Sequence, residues 1–196
     1  MMRTVLASAS PRRRDILKAM GVNFEILAIP HEEKTGTNVP EKMVEELARQ
    51  KGEICFAHLG ENGYDPKDTF LIAADTVVAF GDRILGKPKD REEARAMLRA
   101  LSGKTHHVLT GLYLRYGDRT VLVHDRADVQ FAPLSDGEIE HYLDCGEYAD
   151  KAGSYGIQGR AGIFVRKIDG DYQNVVGLPC RKFYEETVKL LGFWPY

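Results

Sequence analysis

The sequence has few cysteines, little net charge and no long hydrophobic run. Its three cysteines, Cys55, Cys145 and Cys180, are far apart and form no Cys-x-x-Cys pair. This spacing argues against a disulfide framework and against a zinc site. No stretch of eighteen apolar residues occurs, so no transmembrane helix is expected. The formal net charge of −2 argues against a nucleic-acid polymer or an anionic membrane as a partner.

Two common phosphate-binding motifs are also absent from the sequence. It contains no G-x-x-x-x-G-K-[ST] pattern and no G-x-G-x-x-G pattern after a predicted strand. The chain is therefore expected to be neither a P-loop NTPase nor a dinucleotide-binding enzyme of the familiar kind.

A strand, a tight turn and a helix are predicted near the beginning of the chain. The apolar run at 4–7 predicts a strand, and the periodicity of Pro11 to Met20 predicts a helix. Ser10 fits the N-cap position, Pro11 the first helical position and Gly21 the residue after the helix.

Three arginines, 12 to 14, occupy the first turn of this helix, where the helix dipole opposes cations. An anion bound at the helix start would explain them, because free N–H groups, serine hydroxyls such as that of Ser8 and guanidinium groups would converge on it. Successive residues fan out by about 100°, so at most two arginines can share one site, and we select Arg12 and Arg13. The alternative is a solvated basic helix face.

A lysine interrupts the apolar face of the next predicted helix, at 41–59. Lys51 lies four residues after Leu47 and three before Ile54, both of which belong to the apolar stripe. A lysine in this position either extends its ammonium to the surface along its own stem or borders a polar cavity that holds an anion. The sequence leaves both interpretations open.

An aspartate interrupts the most apolar stretch of the chain. The segment at 70–80, FLIAADTVVAF, predicts a central strand, and Asp75 and Thr76 lie in its middle. A buried lone carboxylate is unfavourable unless it is paired or binds a metal. Asp75 is therefore the strongest functional candidate that a single residue provides.

Helices and strands alternate over the rest of the chain. A strand is predicted at 83–85, followed by a helix whose cap combines Asp90 and Glu93, and a helix is predicted after the capping pair Ser135 and Glu138. The other predicted segments are a hairpin at 107–116 and 120–131, a glycine-rich loop at 146–159, strands at 162–168 and 172–176, and a helix at 179–191. This order predicts one α/β domain, residues 1–196, with a mixed sheet and flanking helices.

The polar residues singled out above predict, when taken together, a site that binds a polyphosphate. Cations at the first helix, at Lys51 and at Lys87 would surround the carboxylate of Asp75, and a polar loop carries Gln158. Cations and backbone N–H groups hold phosphate oxygens, whereas a carboxylate binds a divalent metal or activates water.

Six motifs in this order resemble the Maf family of nucleotide pyrophosphatases. They are SASPRRR at 8–14, AADTVV at 73–78, GKP at 86–88, SGKTHHVLTG at 102–111, DKAGSYGIQG at 150–159 and GDYQNVVGLP at 170–179. The resemblance implies a cytoplasmic enzyme, dependent on a divalent metal (Mg²⁺ or Mn²⁺), that hydrolyses a nucleoside triphosphate to the monophosphate and pyrophosphate. It also implies an elongated α/β fold with a mixed, twisted sheet and a deep cleft between two lobes, and it is compatible with a homodimer.

The resemblance assigns roles to the residues that match its motifs. Asp75 is expected to be the catalytic base and a metal ligand, with Lys51 and Lys87 as further catalytic residues that handle phosphate. Ser8, Arg12, Arg13, Thr76 and Gln158 are expected to bind substrate, the last two selecting the base. Many members have Asp-Glu where this chain has His31-Glu32, and Glu32 is expected to be a second metal ligand.

The form of the loop at 155–159, YGIQG, resembles the branch of the family that acts on dTTP and UTP rather than on 7-methyl-GTP. Two alternatives stay open from the sequence. One is a pyrophosphatase for modified or other non-standard nucleotides, and the other is a nucleotide-binding regulator of cell division and septum formation.

Overall fold

The structure, a computed structural model, describes residues 2–196. Within that range it contains seven strands and six α-helices. The strands are β1 (Arg3–Leu6), β2 (Glu25–Ile26), β3 (Thr69–Phe80), β4 (Arg83–Leu85), β5 (Thr105–Tyr116), β6 (Arg119–Phe131) and β7 (Val165–Asp169). The helices are α1 (Pro11–Ala19), α2 (Pro40–Ala57), α3 (Arg91–Leu101), α4 (Asp136–Asp144), α5 (Tyr172–Val176) and α6 (Cys180–Leu191). Over the same residues, no helix combines the length and the apolar character that crossing a membrane requires.

The strands form one mixed sheet in the order β2-β1-β3-β5-β6-β7, with β4 paired to β3. Strand β1 runs parallel to β2 and to β3. Strand β4 is antiparallel to β3, and β7 is antiparallel to β6. The predicted α/β fold with a mixed sheet and flanking helices is therefore confirmed.

The hydrophobic pattern and the helix caps explain why most elements lie where they were predicted. Strand β3 is buried along nearly its whole length, as its continuous apolar run indicated. Asp90 accepts a hydrogen bond from the Glu93 N–H at the start of α3. Ser135 and Glu138 form a complete capping box at the start of α4.

The predicted strand at 172–176 is wrong, because this segment is the short helix α5. The Asp171 carboxylate accepts a hydrogen bond from the Gln173 N–H at 2.7 Å, and the Asp171 carbonyl accepts one from the Asn174 N–H at 3.1 Å. These local bonds close a helical turn and outweigh the β-propensity of the valines and the tyrosine. The predicted strand at 162–168 is correct only in its second half, since Arg160–Phe164 is a 3-10 helix.

The chain divides into two compact units. Unit 1 comprises the described residues up to Asp75, together with Thr110–Asp125 and Gly177–Tyr196. Unit 2 comprises Thr76–Leu109 and Arg126–Val176.

In unit 1, helix α2 packs very closely against β5. A Cβ at Gly111 of β5 would lie 2.1 Å from the Val44 carbonyl oxygen of α2, and a Cβ at Gly52 would lie 2.2 Å from the Tyr113 ring. Glycine is therefore required on both elements for this approach. The contact fixes α2, which carries Lys51, against the sheet.

In unit 2, an aromatic cluster surrounds a buried histidine. The His106 ring makes edge-to-face contacts with Phe131 at 4.9 Å and with Tyr155 at 5.3 Å between ring centroids. Its Nε2 lies 2.8 Å from the Tyr155 hydroxyl. Burial lowers the pKa of His106 from an ordinary value of 6.5 to about 4, so the imidazole is neutral at pH 7.

The neutral His106 predicts that unit 2 loses stability in mild acid. Below pH 6.5 the unfolded chain binds a proton at this position, whereas the folded chain stays neutral until about pH 4. The free energy of unfolding should therefore fall by about 2 kcal/mol between pH 7.5 and pH 5 through this residue alone. Urea unfolding at both pH values measures the effect.

The variant His106→Gln should lose this part of the pH dependence. The exposed His141 offers a matched control, and His141→Gln should keep the full decline. The prediction would be contradicted if the free energy of unfolding fell equally between pH 7.5 and pH 5 in the wild type and in His106→Gln.

Candidate active site

A buried arginine lies at the start of α1 in unit 1. The Ser8 hydroxyl accepts hydrogen bonds from the Ser10 N–H at 3.2 Å and from Arg13 Nη1 at 3.1 Å. Arg13 Nε donates to the Gly177 carbonyl at 2.8 Å, and the side chain is buried. Burial lowers the pKa of Arg13, while the negative charge of Asp75 opposes that shift. Arg13 is thus a buried cation close to a carboxylate, rather than part of a solvated basic face.

Lys51 of α2 and Asp75 of β3 form a buried ion pair. The Lys51 ammonium contacts Asp75 Oδ1, and it also lies 2.9 Å from Glu33 Oε1. The Lys51 side chain is 16% exposed and that of Asp75 is 10% exposed. The ammonium is therefore directed onto two carboxylates instead of into solvent, and Asp75 has the partner that its burial requires.

The carboxylates of Asp75 and Glu33 offer the donor set that a hard divalent cation prefers. Both contact the same ammonium, so they converge on one positive charge. Magnesium is usually held by one or two protein carboxylates together with substrate phosphates. Among residues 2–196, no group of three or more histidine, cysteine, aspartate or glutamate side chains is placed to hold a metal. The residues present thus fit a cation that phosphate oxygens complete.

Three further residues that the sequence selected, Thr76, Lys87 and Gln158, belong to unit 2. Thr76 is half-buried in β3, whereas Lys87 and Gln158 are exposed on loops. The Gly153 N–H donates to the Gly86 carbonyl at 3.1 Å, so the loop of Lys87 is bonded to the segment that leads to Gln158. Arg12, in unit 1, is half-buried.

Residues 3–190 match the family model described as Maf-like protein. The chain belongs to the Maf family. It is 43% identical to the dTTP/UTP pyrophosphatase of Agathobacter rectalis, over 97% of this chain and 98% of the relative. It is 45% identical to the dTTP/UTP pyrophosphatase of a Geobacillus strain, over 98% of this chain and 100% of the relative. The protein of the same name from Bacillus anthracis is 44% identical over 95% of this chain and 94% of the relative.

Among solved structures, the chain is similar to the Ham1 protein of Staphylococcus aureus. The two are 16% identical, with a TM-score of 0.46 over 66% of this chain and 72% of that protein.

Reasoning from sequence did not single out Glu33, the second carboxylate that contacts Lys51. Glu32, the expected second metal ligand, is 78% exposed and lies 2.9 Å from Lys34 Nζ. Its neighbour Glu33 contacts Lys51. The two glutamates lie in an irregular loop, where no periodicity indicates which side chain points inward.

Proposed function

We propose that this Maf-family protein hydrolyses dTTP and UTP to the nucleoside monophosphate and pyrophosphate. The name shared by the relatives supports the substrates, and the cluster of Asp75, Lys51 and Glu33, in which Asp75 is buried, supports the chemistry. The cluster is the observation that carries the proposal, because a paired carboxylate beside several cations matches the needs of phosphoanhydride hydrolysis.

The proposed reaction is attack of water on the α-phosphorus. Asp75 accepts a proton from the water as its oxygen bonds to phosphorus, and the bond from the α-phosphorus to the bridging oxygen breaks. Pyrophosphate leaves with the electron pair of that bond. General-base catalysis of this type contributes roughly 10²–10⁴-fold.

The cations bind and orient the polyphosphate. Arg13 lies buried close to Asp75, and with Arg12 it would bind phosphate oxygens. Lys87 keeps, as a proposal, the phosphate-handling role that the family resemblance gives it. Lys51 would exchange a carboxylate contact for a phosphate oxygen as negative charge grows on the leaving group. Ser8 positions Arg13 through the hydrogen bond to its hydroxyl.

Asp75 and Glu33 would hold a divalent cation, Mg²⁺ or Mn²⁺, and Glu33 would take the role that the family resemblance gives to Glu32. When bound, such an ion neutralises charge on phosphate oxygens and lowers the pKa of a coordinated water. The contact of both carboxylates with the same Lys51 ammonium supports their joint role.

Gln158 and Thr76 are proposed to select the base. Uracil and thymine present two carbonyl acceptors around one N–H donor, and the amide of Gln158 offers both a donor and an acceptor. Cytosine replaces one carbonyl with an amine and lacks the N3–H, so it would leave amide groups unpaired at a cost of roughly 1–3 kcal/mol each. UTP and dTTP should therefore be preferred over CTP.

A panel of UTP, dTTP, CTP and 7-methyl-GTP, with the products identified by chromatography, tests the proposal. The expected products from UTP and dTTP are the monophosphate and pyrophosphate. Faster hydrolysis of CTP or 7-methyl-GTP than of UTP would refute the assignment. Release of orthophosphate in place of pyrophosphate would refute the proposed bond cleavage.

The variant Gln158→Glu should lower kcat/KM for UTP by at least about tenfold, because it removes the amide donor and adds a negative charge. Gln158 is exposed, so thermal unfolding should be unchanged. The same panel measures the effect, and an unaltered preference for UTP over CTP would show that Gln158 does not read the base.

A further inference from the structure

The hydroxyl of Tyr155 is buried in unit 2, three residues before Gln158. The Tyr155 side chain packs edge-to-face against Phe131 with ring centroids 4.9 Å apart. Its hydroxyl lies 2.8 Å from His106 Nε2. Burial raises the pKa of Tyr155, so the phenol stays protonated and available as a hydrogen-bonding group. The bond thus joins the loop of Gln158 to the aromatic cluster of β5 and β6.

His106 directs its hydrogen bonding to Tyr155. Its Nδ1 is buried and has no hydrogen-bond partner among the residues that the structure describes. A buried polar atom without a partner is unfavourable, and a phenylalanine would fill similar space with no such atom. The bond from Nε2 to Tyr155 is the feature that a histidine adds at this position.

The chain reaches Tyr155 through two residues in the left-handed backbone conformation. Gly153 has φ of +68° and Ser154 has φ of +64°. Ser154 is the one non-glycine residue with positive φ within residues 2–196. It is fully buried, with its hydroxyl 3.0 Å from the sulfur of Met97, and sulfur is only a weak acceptor. Conformations of this kind persist when surrounding packing imposes them, and they concentrate at functional sites.

The turn formed by Gly153 and Ser154 packs against β3 and is hydrogen-bonded to the loop of Lys87. A Cβ at Gly153 would lie 3.1 Å from a Val78 methyl group, and the Gly153 N–H donates to the Gly86 carbonyl. On the far side of Gln158, the Arg160 N–H donates to Glu147 Oε2 at 2.9 Å. The segment that presents Gln158 is therefore held at both ends.

We propose that Tyr155 is a positioning residue for substrate selection, and that its hydrogen bond to His106 fixes the loop in which Gln158 reads the pyrimidine. The proposal rests on the proposed function, because it presupposes base recognition by Gln158. Tyr155 itself does not contact the substrate. It acts by holding the backbone from which Gln158 extends.

The variant Tyr155→Phe tests the proposal, because it removes the hydroxyl and keeps the ring. The ratio of kcat/KM for UTP to kcat/KM for CTP should fall about fivefold, the effect of losing one hydrogen bond. The change should appear as a raised KM for UTP with kcat nearly unchanged, since Asp75 and Lys51 are untouched. His106→Leu should lower the ratio in the same way. His106→Gln should preserve it, because a side-chain amide can still hydrogen-bond to the phenol.

Tyr64→Phe provides a matched control in unit 1. Tyr64 is also buried, and its hydroxyl donates to Glu25 at 3.3 Å. Its loss should affect thermal unfolding and leave the UTP/CTP ratio unchanged. The proposal is overturned if Tyr155→Phe and His106→Leu lower the melting temperature but keep the wild-type ratio. If Tyr155→Phe does not fold, the comparison of His106→Leu with His106→Gln decides the outcome.

The wild-type protein separates failure of this proposal from failure of the proposed function. Wild-type protein that hydrolyses neither UTP nor dTTP would refute the proposed function, and this inference with it. Wild-type protein that prefers UTP, together with an unchanged ratio in Tyr155→Phe and His106→Leu, would refute this inference alone.

Discussion

Replacing Asp75 with asparagine should lower kcat for UTP hydrolysis by at least about a hundredfold. Asparagine has nearly the same shape but cannot accept the proton that the attacking water must lose, and the expected loss is the lower bound for general-base catalysis. Lys51 would keep its contact with Glu33, so the fold should persist. Pyrophosphate release at saturating UTP measures kcat.

Thermal unfolding and circular dichroism would confirm that Asp75→Asn is folded. Asp144→Asn is a suitable control, because Asp144 is a surface carboxylate paired with Arg91, and it should retain wild-type turnover. A folded Asp75→Asn protein with near-normal kcat would show that another group is the base.

The variant Lys51→Met should reduce kcat/KM for UTP by about a hundredfold or more. Methionine replaces most of the apolar stem but removes the positive charge, and loss of one preorganised donor to a developing oxyanion costs roughly 10²–10³ in rate. Asp75 and Glu33 would then both lose the ammonium that they contact. Because Asp75 is buried, the free energy of unfolding should also fall, by about 3 kcal/mol.

Two further variants make the Lys51 result specific. Lys51→Arg keeps the charge and should recover most of the stability, while activity recovers less because the guanidinium has a different shape. Lys34→Met removes an exposed ammonium that pairs with Glu32, and it should change neither the free energy of unfolding nor the activity. Full activity in Lys51→Met would place the lysine outside the reaction and leave it a purely structural partner of Asp75.

The sequence predicted elements well wherever the hydrophobic pattern was long. Strand β3 and helices α2, α3 and α6 were recognisable because each buries a sustained apolar run or stripe. The short helix α5 was not, because five residues contain too little periodicity to separate a helix from a strand. Its conformation depends on hydrogen bonds to Asp171 that only the folded chain reveals.

The site was predicted in part for the same physical reasons. Asp75 stood out because a carboxylate in an apolar strand needs a partner, and Lys51 stood out because it interrupts an apolar stripe. The ion pair between them joins residues on different elements, which no local pattern encodes. Glu33 and Tyr155 lie in irregular segments, where neither helical nor strand periodicity indicates the direction of a side chain, so their contacts with Lys51 and His106 could not be predicted.

The close approach of α2 to β5 has unequal consequences for substitution at its two glycines. At position 52 the obstacle is the ring of Tyr113, so a smaller side chain at 113 could admit alanine at 52. At position 111 the obstacle is the backbone of Val44 itself, which no exchange of side chains can remove. No second substitution of a side chain can therefore rescue a replacement of Gly111. A directed-evolution library should keep residue 111 constant and vary residues 52 and 113 together.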